Sequence, residues 1–163
     1  MSVRDFRKED LPVITAIANR AWKEIKKMSR TCLGDKLADL LNPEGDSVTK
    51  GRQIERTAAV TPENILVCER GGRVVGFITF SMNDSMGRPI GMIGNNATDP
   101  DCGEKGVGQE LYQAVFEKMK SCGMKAVYVE TGLDYAHARA RRAYQRAGFN
   151  RELLSVTYYR ELD

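Results

Sequence analysis

"NILVCERGGRVVGFITFSMN", residues 64–83, reads as two strands, NILVCER and RVVGFITFSMN, joined by a tight Gly-Gly turn. Two glycines between runs rich in β-branched and aromatic residues suit the positive φ angles of a two-residue hairpin. A hairpin pairs its strands antiparallel, which argues against a purely parallel doubly wound sheet. Working outward, SVRDF predicts a short first strand. Asp10 predicts a helix cap, with Pro12 tolerated in the first turn. Ile14, Ile17, Ala18, Ala21, Trp22 and Ile25 recur at helical spacing as one apolar face. Leu37, Leu40 and Leu41 predict a short helix stopped near NPEG, and a further segment starting near Ser47 carries Ile54 and Ala58. Past the hairpin, GMIGNNAT is a strand poor in β-branched residues. Leu111, Tyr112, Val115, Phe116 and Met119 then fall at helical spacing, closed by Gly123. KAVYVET predicts a strand, HARARRAYQRAGF a helix ending at Gly148, and the alternating SVTYYREL a last strand. This order predicts an α/β (α+β) fold: a mixed, mostly antiparallel central sheet flanked by helices on both faces. No repeat, low-complexity tract or linker divides the chain, so residues 1–163 are expected to form a single domain.

Composition bounds the function. The 163 residues are 42% hydrophobic and 29% charged, the balance of a soluble globular protein. A net charge of +3 gives no reason to expect nucleic acid. No apolar run approaches the ~18–20 residues of a membrane span, and MSVRDFRKED has no apolar core of a signal peptide. Cys32, Cys68, Cys102 and Cys122 are scattered, and with a single histidine they make a poor zinc site. The expectation is a cytoplasmic protein with reduced thiols and no metal.

Two stretches carry chemistry. DPDCGEKGVGQEL, residues 99–111, is a glycine-rich turn between a strand and a helix. Gly106 and Gly108 let a ligand approach the backbone, and the N–H groups of the first helical turn lack intrahelical partners. Such a turn suits a pyrophosphate, with Lys105 adding charge. Taken alone, an ordinary turn is an equal reading. No Gly-Lys-Ser/Thr follows, so it is not a P-loop. In HARARRAYQRAGF, Ala136, Ala140, Ala143, Tyr144 and Ala147 share one helical face. Tyr144 therefore needs a hydroxyl partner if buried. Arg139, Arg142 and Arg146 share another face, which reads as solvated.

Together these stretches resemble the GNAT superfamily of acyl-CoA-dependent N-acyltransferases. Pro100 stands six residues before Gly106, KGVG leads into a helix like the family's Gly-x-Gly turn, and HARARRAYQRAGF is similar to its Asn-x-x-Ala-x-x-x-Tyr-x-x-x-Gly-Phe pattern. The resemblance implies acetyl-CoA as cosubstrate. It implies that Asn96, Ala97 and Thr98 meet the pantetheine arm through the backbone of a splayed strand. Glu104, Lys105, Gly106, Val107, Gly108 and Gln109 would cradle the pyrophosphate, and His137 would lie near the cofactor's arm. Tyr144 would lie near the thioester sulfur, and Glu130 matches a glutamate that is the general base in some members. Two positions depart from the pattern. Gly103 stands where the family has Gln or Arg, and His137 where it has Asn.

The chemistry can be weighed on its own terms. A lysine-like amine, with pKa near 10.4, costs about 4–5 kcal/mol to neutralise at pH 7, whereas an α-amino group costs only about 1–1.5 kcal/mol. Glu130 as general base helps the former most. A strand N–H near Ala97 would stabilise the oxyanion. Tyr144, a donor at neutral pH, suits protonation of the leaving thiolate. The rival readings are a core Tyr144 and an outward or ion-paired Glu130. By analogy residues 28–60 border the acceptor, and their charges are mixed: Asp35, Asp39, Glu44 and Asp46 against Lys36, Lys50, Arg52 and Arg56. The expectation is direct transfer to a small-molecule amine. Protein N-terminal or lysine acetylation is the alternative within that class, and a non-catalytic acyl-CoA-binding regulatory module the alternative outside it. SVTYYREL as an edge strand leaves a homodimer open.

Overall fold

The structure, a computed structural model, describes residues 2–82 and 86–162; Asn83, the last residue of the predicted hairpin, lies outside them. The hairpin forms as predicted. Strands β2 (Ile65–Arg70) and β3 (Arg73–Ser81) pair antiparallel across Gly71 and Gly72, whose φ angles are 53° and 76°. Strand β1 (Val3–Asp5) adds antiparallel to β2, and β4 (Ile90–Thr98) antiparallel to β3. Strand β5 (Ala126–Val129) runs parallel to β4, giving a five-stranded sheet in the order β1-β2-β3-β4-β5.

Alternation along the strands builds a core on each face. Ile65, Val67 and Phe77 pack with Ile14 and Ile17 of α1 (Leu11–Ala21) and Ile54 of α4 (Thr49–Val60). Leu66, Cys68, Ile78 and Phe80 pack with Leu111, Val115 and Met119 of α5 (Val107–Ser121) and with Tyr144 of α6 (Ala138–Arg146). Each large apolar side chain so buried contributes about 1.5–3 kcal/mol.

Several expectations are corrected. The apolar face predicted through Ile25 is broken at Trp22 (φ −91°, ψ 0°), and α2 (Lys23–Leu33) buries no residue. Helix α3 (Asp35–Leu41) forms, but it buries Ala38 and leaves Leu40 68% and Leu41 46% exposed, because the small residue is the one that fits the neighbouring helix. Asp10 flanks α1 without capping it. Its carboxylate accepts the Arg7 N–H at 2.7 Å and the Arg4 guanidinium at 2.8 and 2.9 Å, stronger charge-assisted bonds. The strand in KAVYVET ends at Val129. SVTYYREL is not a strand; residues 150–162 leave the sheet with Leu153 and Tyr158 99% and 88% exposed. Alternation marks two faces of a segment, but a strand also needs a neighbour for its backbone groups, and this segment has none.

Candidate active site

The β4–β5 pairing starts at Ile90↔Ala126 and stops at Ile93↔Val129, while β4 continues to Thr98. Past this fork, residues 94–98 keep β3 on one side and, among the described residues, have no strand on the other. A bulge precedes the opening. Ile78 pairs Asn96 and Phe80 pairs Ile93, so Gly94 and Asn95 together oppose Thr79. The Asn95 N–H donates to Thr79 Oγ1 at 2.8 Å. Glycine is required beside it, because a Cβ on Gly94 would fall 2.6 Å from that hydroxyl. The extra residue turns Ile93 and Asn96 to the α5 face and Ala97 to the α1 face.

On the α5 face, Asn96 joins two tyrosines. Tyr112 O–H donates to Asn96 Oδ1 at 2.8 Å, and Asn96 Nδ2 donates to the Tyr144 oxygen at 3.1 Å. Tyr144 acts as acceptor in this bond, so its own proton is left to donate elsewhere. Burial pushes both phenols above their ordinary range and keeps them protonated at neutral pH. The two rings lie 5.7 Å apart, and Phe149 meets Tyr144 edge-on at 5.9 Å. Tyr112 escaped the sequence reading, which took it as an apolar helix residue. The signal was available: a tyrosine on a buried face needs a hydroxyl partner.

The glycine-rich turn lies at the open end of this strand. Gly103 and Gly106 have φ angles of 67° and 81°, left-handed conformations that favour glycine. Helix α5 makes its first internal bond from Glu110 N–H to Gly106 O, 3.0 Å. The N–H groups of residues 107–109 thus carry no intrahelical bond. Gly108 has ordinary helical geometry, and a Cβ there would meet nothing nearer than Tyr112 Cε2 at 3.9 Å and Thr98 Oγ1 at 4.0 Å. The protein itself does not require glycine at 108, because a Cβ there would make only ordinary contacts. Glu110, an acidic group in the first turn, is held by Arg70 at 2.5 Å and by Ser2. Glu104 and Lys105 are exposed.

Other predicted residues are positioned differently. The Gln109 side chain donates to Ala143 O at 3.0 Å, tying α5 to α6, so only its backbone N–H faces the anion role. His137 flanks α6, its N–H donating to Asp134 Oδ1 at 3.1 Å and its Nδ1 2.7 Å from Asp134 Oδ2. Burial opposes ionisation of Asp134, but the His137 bonds outweigh it and hold the carboxyl below its ordinary range. Arg141 fastens the same loop through the Gly132 and Asp134 carbonyls at 2.6 and 2.7 Å. Glu130 is exposed, one residue past the fork. Of the predicted residues, the structure brings Asn96 to Tyr144 and Thr98 near Gly108, while His137 is bonded to Asp134 and Glu130 is exposed.

The opposite face of β4 holds a group that sequence reasoning counted only as one charge among many. Lys50 Nζ, on α4, donates to Asn95 Oδ1 at 3.0 Å and Gln53 Oε1 at 2.7 Å, and lies 4.7 Å from the Trp22 ring centroid. Burial, with repulsion from Lys26, lowers its pKa to about 8. Among the described residues no helix is long and apolar enough to cross a membrane.

The profile of the Acetyltransferase (GNAT) family matches residues 22–149. A curated mycothiol acetyltransferase from Propionibacterium freudenreichii subsp. shermanii is 30% identical over 158 residues, covering 94% of this chain. The chain spans 44% of that relative's length. A crystal structure of a Bacillus halodurans protein superposes with a TM-score of 0.71 at 14% identity, covering 99% of this chain and all of that one. A GNAT family acetyltransferase from Brucella melitensis, solved in complex with acetyl-CoA, superposes with a TM-score of 0.58 at 19% identity over 91% of this chain and 82% of the other. These two likenesses concern the fold. With the forked sheet, the glycine turn and a family match over most of its length, the chain belongs to the acetyltransferase (GNAT) family.

Proposed function

We propose that the chain is a single-domain N-acetyltransferase that moves the acetyl group of acetyl-CoA to the primary amine of a small molecule by direct attack. The observation that carries this reading is the fork. The backbone groups of residues 94–98 have no strand partner on one side among the described residues, the Gly94 carbonyl accepting from Asn96 Nδ2 at 3.2 Å, and Tyr144 is held on the same stretch by Asn96. In this reading those groups pair with the pantetheine arm, and the N–H groups at the start of α5 take the pyrophosphate in the space beside Gly108. Glu130, just past the fork, takes the ammonium proton directly or through water. The amine nitrogen then bonds to the thioester carbon, and a β4 N–H near Ala97 stabilises the oxyanion. The carbon–sulfur bond breaks, the Tyr144 O–H protonates the leaving thiolate, and the second proton lost by the acylated nitrogen returns to the Tyr144 oxygen through water. His137, set by Asp134, borders the arm.

The test is thiol release from acetyl-CoA against amines, amino acids, polyamines, aminoglycosides and peptides. Amine-dependent release is expected, strongest with small molecules. Release confined to peptides would move the acceptor to protein amines. Tight acetyl-CoA binding without release would support a regulatory module instead. The reading includes a cytoplasmic setting, in keeping with four unpaired cysteines. It also includes a homodimer in which SVTYYREL, residues 155–162, pairs with a second copy, supported by the exposed Val156 and Tyr158. A monomer mass in solution would remove the dimer.

A further inference from the structure

The charges of residues 26–56 look evenly mixed in sequence, yet the fold sorts them. Arg30 takes Asp35, Asp39 and Asp46 at 3.1, 2.8 and 2.8 Å. Arg52 and Arg56 share Glu44 at 3.9 and 3.8 Å, and Lys36 takes Glu161 at 2.5 Å. Lys26, Lys27 and Lys50 remain without a carboxylate in ion-pair range among the described residues; Lys27 is exposed, whereas Lys26 and Lys50 are partly buried and Lys26 repels Lys50. Lys26 donates to Asn42 Oδ1 at 2.5 Å, and Asp46 attracts it from farther away while bonded to Arg30. Lys50 is the less compensated of the two. Two of its three donors go to the neutral oxygens of Asn95 and Gln53, and Trp22 flanks it.

The backbone beneath Lys50 is built to hold it there. Gly51 N–H donates to Asn19 Oδ1 at 2.7 Å, and a Cβ on Gly51 would fall 2.7 Å from Asn19 Nδ2, so a larger residue there would have to displace the Asn19 side chain that ties α4 to α1. A half-buried ammonium without an anion is costly to keep charged. The cost is offset when an anion arrives. The location says which anion. Asn95 is the neighbour along β4 of Asn96, which holds Tyr144, and adjacent Cα atoms lie about 3.8 Å apart. Lys50 thus meets the stretch of β4 that has parted from β5, from the face opposite Tyr144, and the transfer reading puts the thioester against that same stretch.

We propose that Lys50, assisted by Lys26, binds a carboxylate of the acceptor, so that the amine acetylated at this site belongs to an amino acid or a similar amine with an acidic group close by. The assignment rests on the acetyltransferase reading above. A single ammonium flanked by the Asn95 and Gln53 oxygens favours a monoanion over a phosphate, and the lysine pair disfavours polyamines and other polycations.

Trp22 is the one tryptophan in the chain, so its fluorescence reports binding at Lys50 without requiring turnover. Amino acids and their matched amides are titrated into the full chain with coenzyme A present, and kcat/KM is measured on the same pairs. The acids are expected to bind at least tenfold tighter than the amides, with Lys50→Met abolishing that preference and Lys50→Arg retaining part of it. In turnover, Lys50→Met is expected to raise KM for acids at least tenfold while leaving amides within twofold. Equal affinity of the wild type for acids and amides would overturn the proposal, as would a preference that survives in Lys50→Met. Phosphorylated amines binding tighter than the acids would overturn the carboxylate assignment. Should Lys50→Met fail to fold by circular dichroism, Lys26→Met is expected to cut the acid preference about threefold, and an unchanged preference there would count against the site. Acid-selective binding with no turnover of any amine would support the anion site and remove the transfer reading. Turnover favouring amides would do the reverse.

Discussion

Asn95 and Asn96 are neighbours on one strand, yet they serve opposite surroundings. Asn96 enters an aromatic cluster in which its side-chain hydrogen bonds run between uncharged groups, from Tyr112 to Asn96 to Tyr144. Asn95 enters a face where its amide oxygen takes a lysine ammonium. The bulge opposite Thr79 falls between Ile93 and Asn96, where the strand opens from β5. The difference teaches that one strand can separate two kinds of electrostatic work. On one side a phenol is kept protonated by burial, and on the other a cation is kept short of a counter-ion.

The comparison is broken most sharply at Tyr144. Tyr144→Phe keeps the ring packing and removes the proton donor, so turnover is expected to fall about 10²-fold or more while acetyl-CoA affinity stays within a fewfold. Steady-state kinetics beside calorimetric titration separate the two, and unchanged turnover would remove Tyr144 from the chemistry. On the other face, Lys50→Met is expected to stabilise the unliganded protein by about 1–2 kcal/mol at pH 7, discounted for partial exposure and two lost hydrogen bonds. The sign follows from linkage. The folded pKa of about 8 lies below the ordinary 10.5, so between these values the unfolded chain binds more protons and wild-type stability rises with pH. The advantage of the variant should therefore shrink between pH 8 and pH 10.5 in urea melts, and a pH-independent difference would contradict it. Gly108→Ala fills the space beside Thr98 without backbone strain, and it should weaken acetyl-CoA about tenfold while leaving Tm unchanged or slightly raised. The smallest effect is expected from Tyr112→Phe, about 1 kcal/mol of stability and a few-fold in turnover, through loss of its bond to Asn96. A turnover loss equal to that of Tyr144→Phe would show the two tyrosines acting as one unit.

Local elements were legible where a single segment carried the whole signal. The Gly-Gly hairpin, the Gly106 turn and the helix closed by Gly148 depend on backbone conformations that residue identity dictates. Elements whose existence depends on a partner were not. SVTYYREL alternates as a strand should, yet it finds no edge. The leucines of α3 mark a helix correctly and its buried side incorrectly, because the neighbour accepts Ala38. Tyr144 was legible through the motif around it, whereas Tyr112 and Asp134 were not, since their roles arise from contacts with Asn96 and His137.

The residues alone determined the order of strands β1 to β5, the glycine turn ahead of α5 and the inward Tyr144, because each follows from local geometry and periodicity. Only the tertiary structure decided where β4 parts from β5, which face each asparagine takes, and which of the mixed charges between residues 26 and 56 meet a carboxylate. Pairing, register and charge compensation are properties of segments far apart in the chain, and no spacing within one segment encodes them.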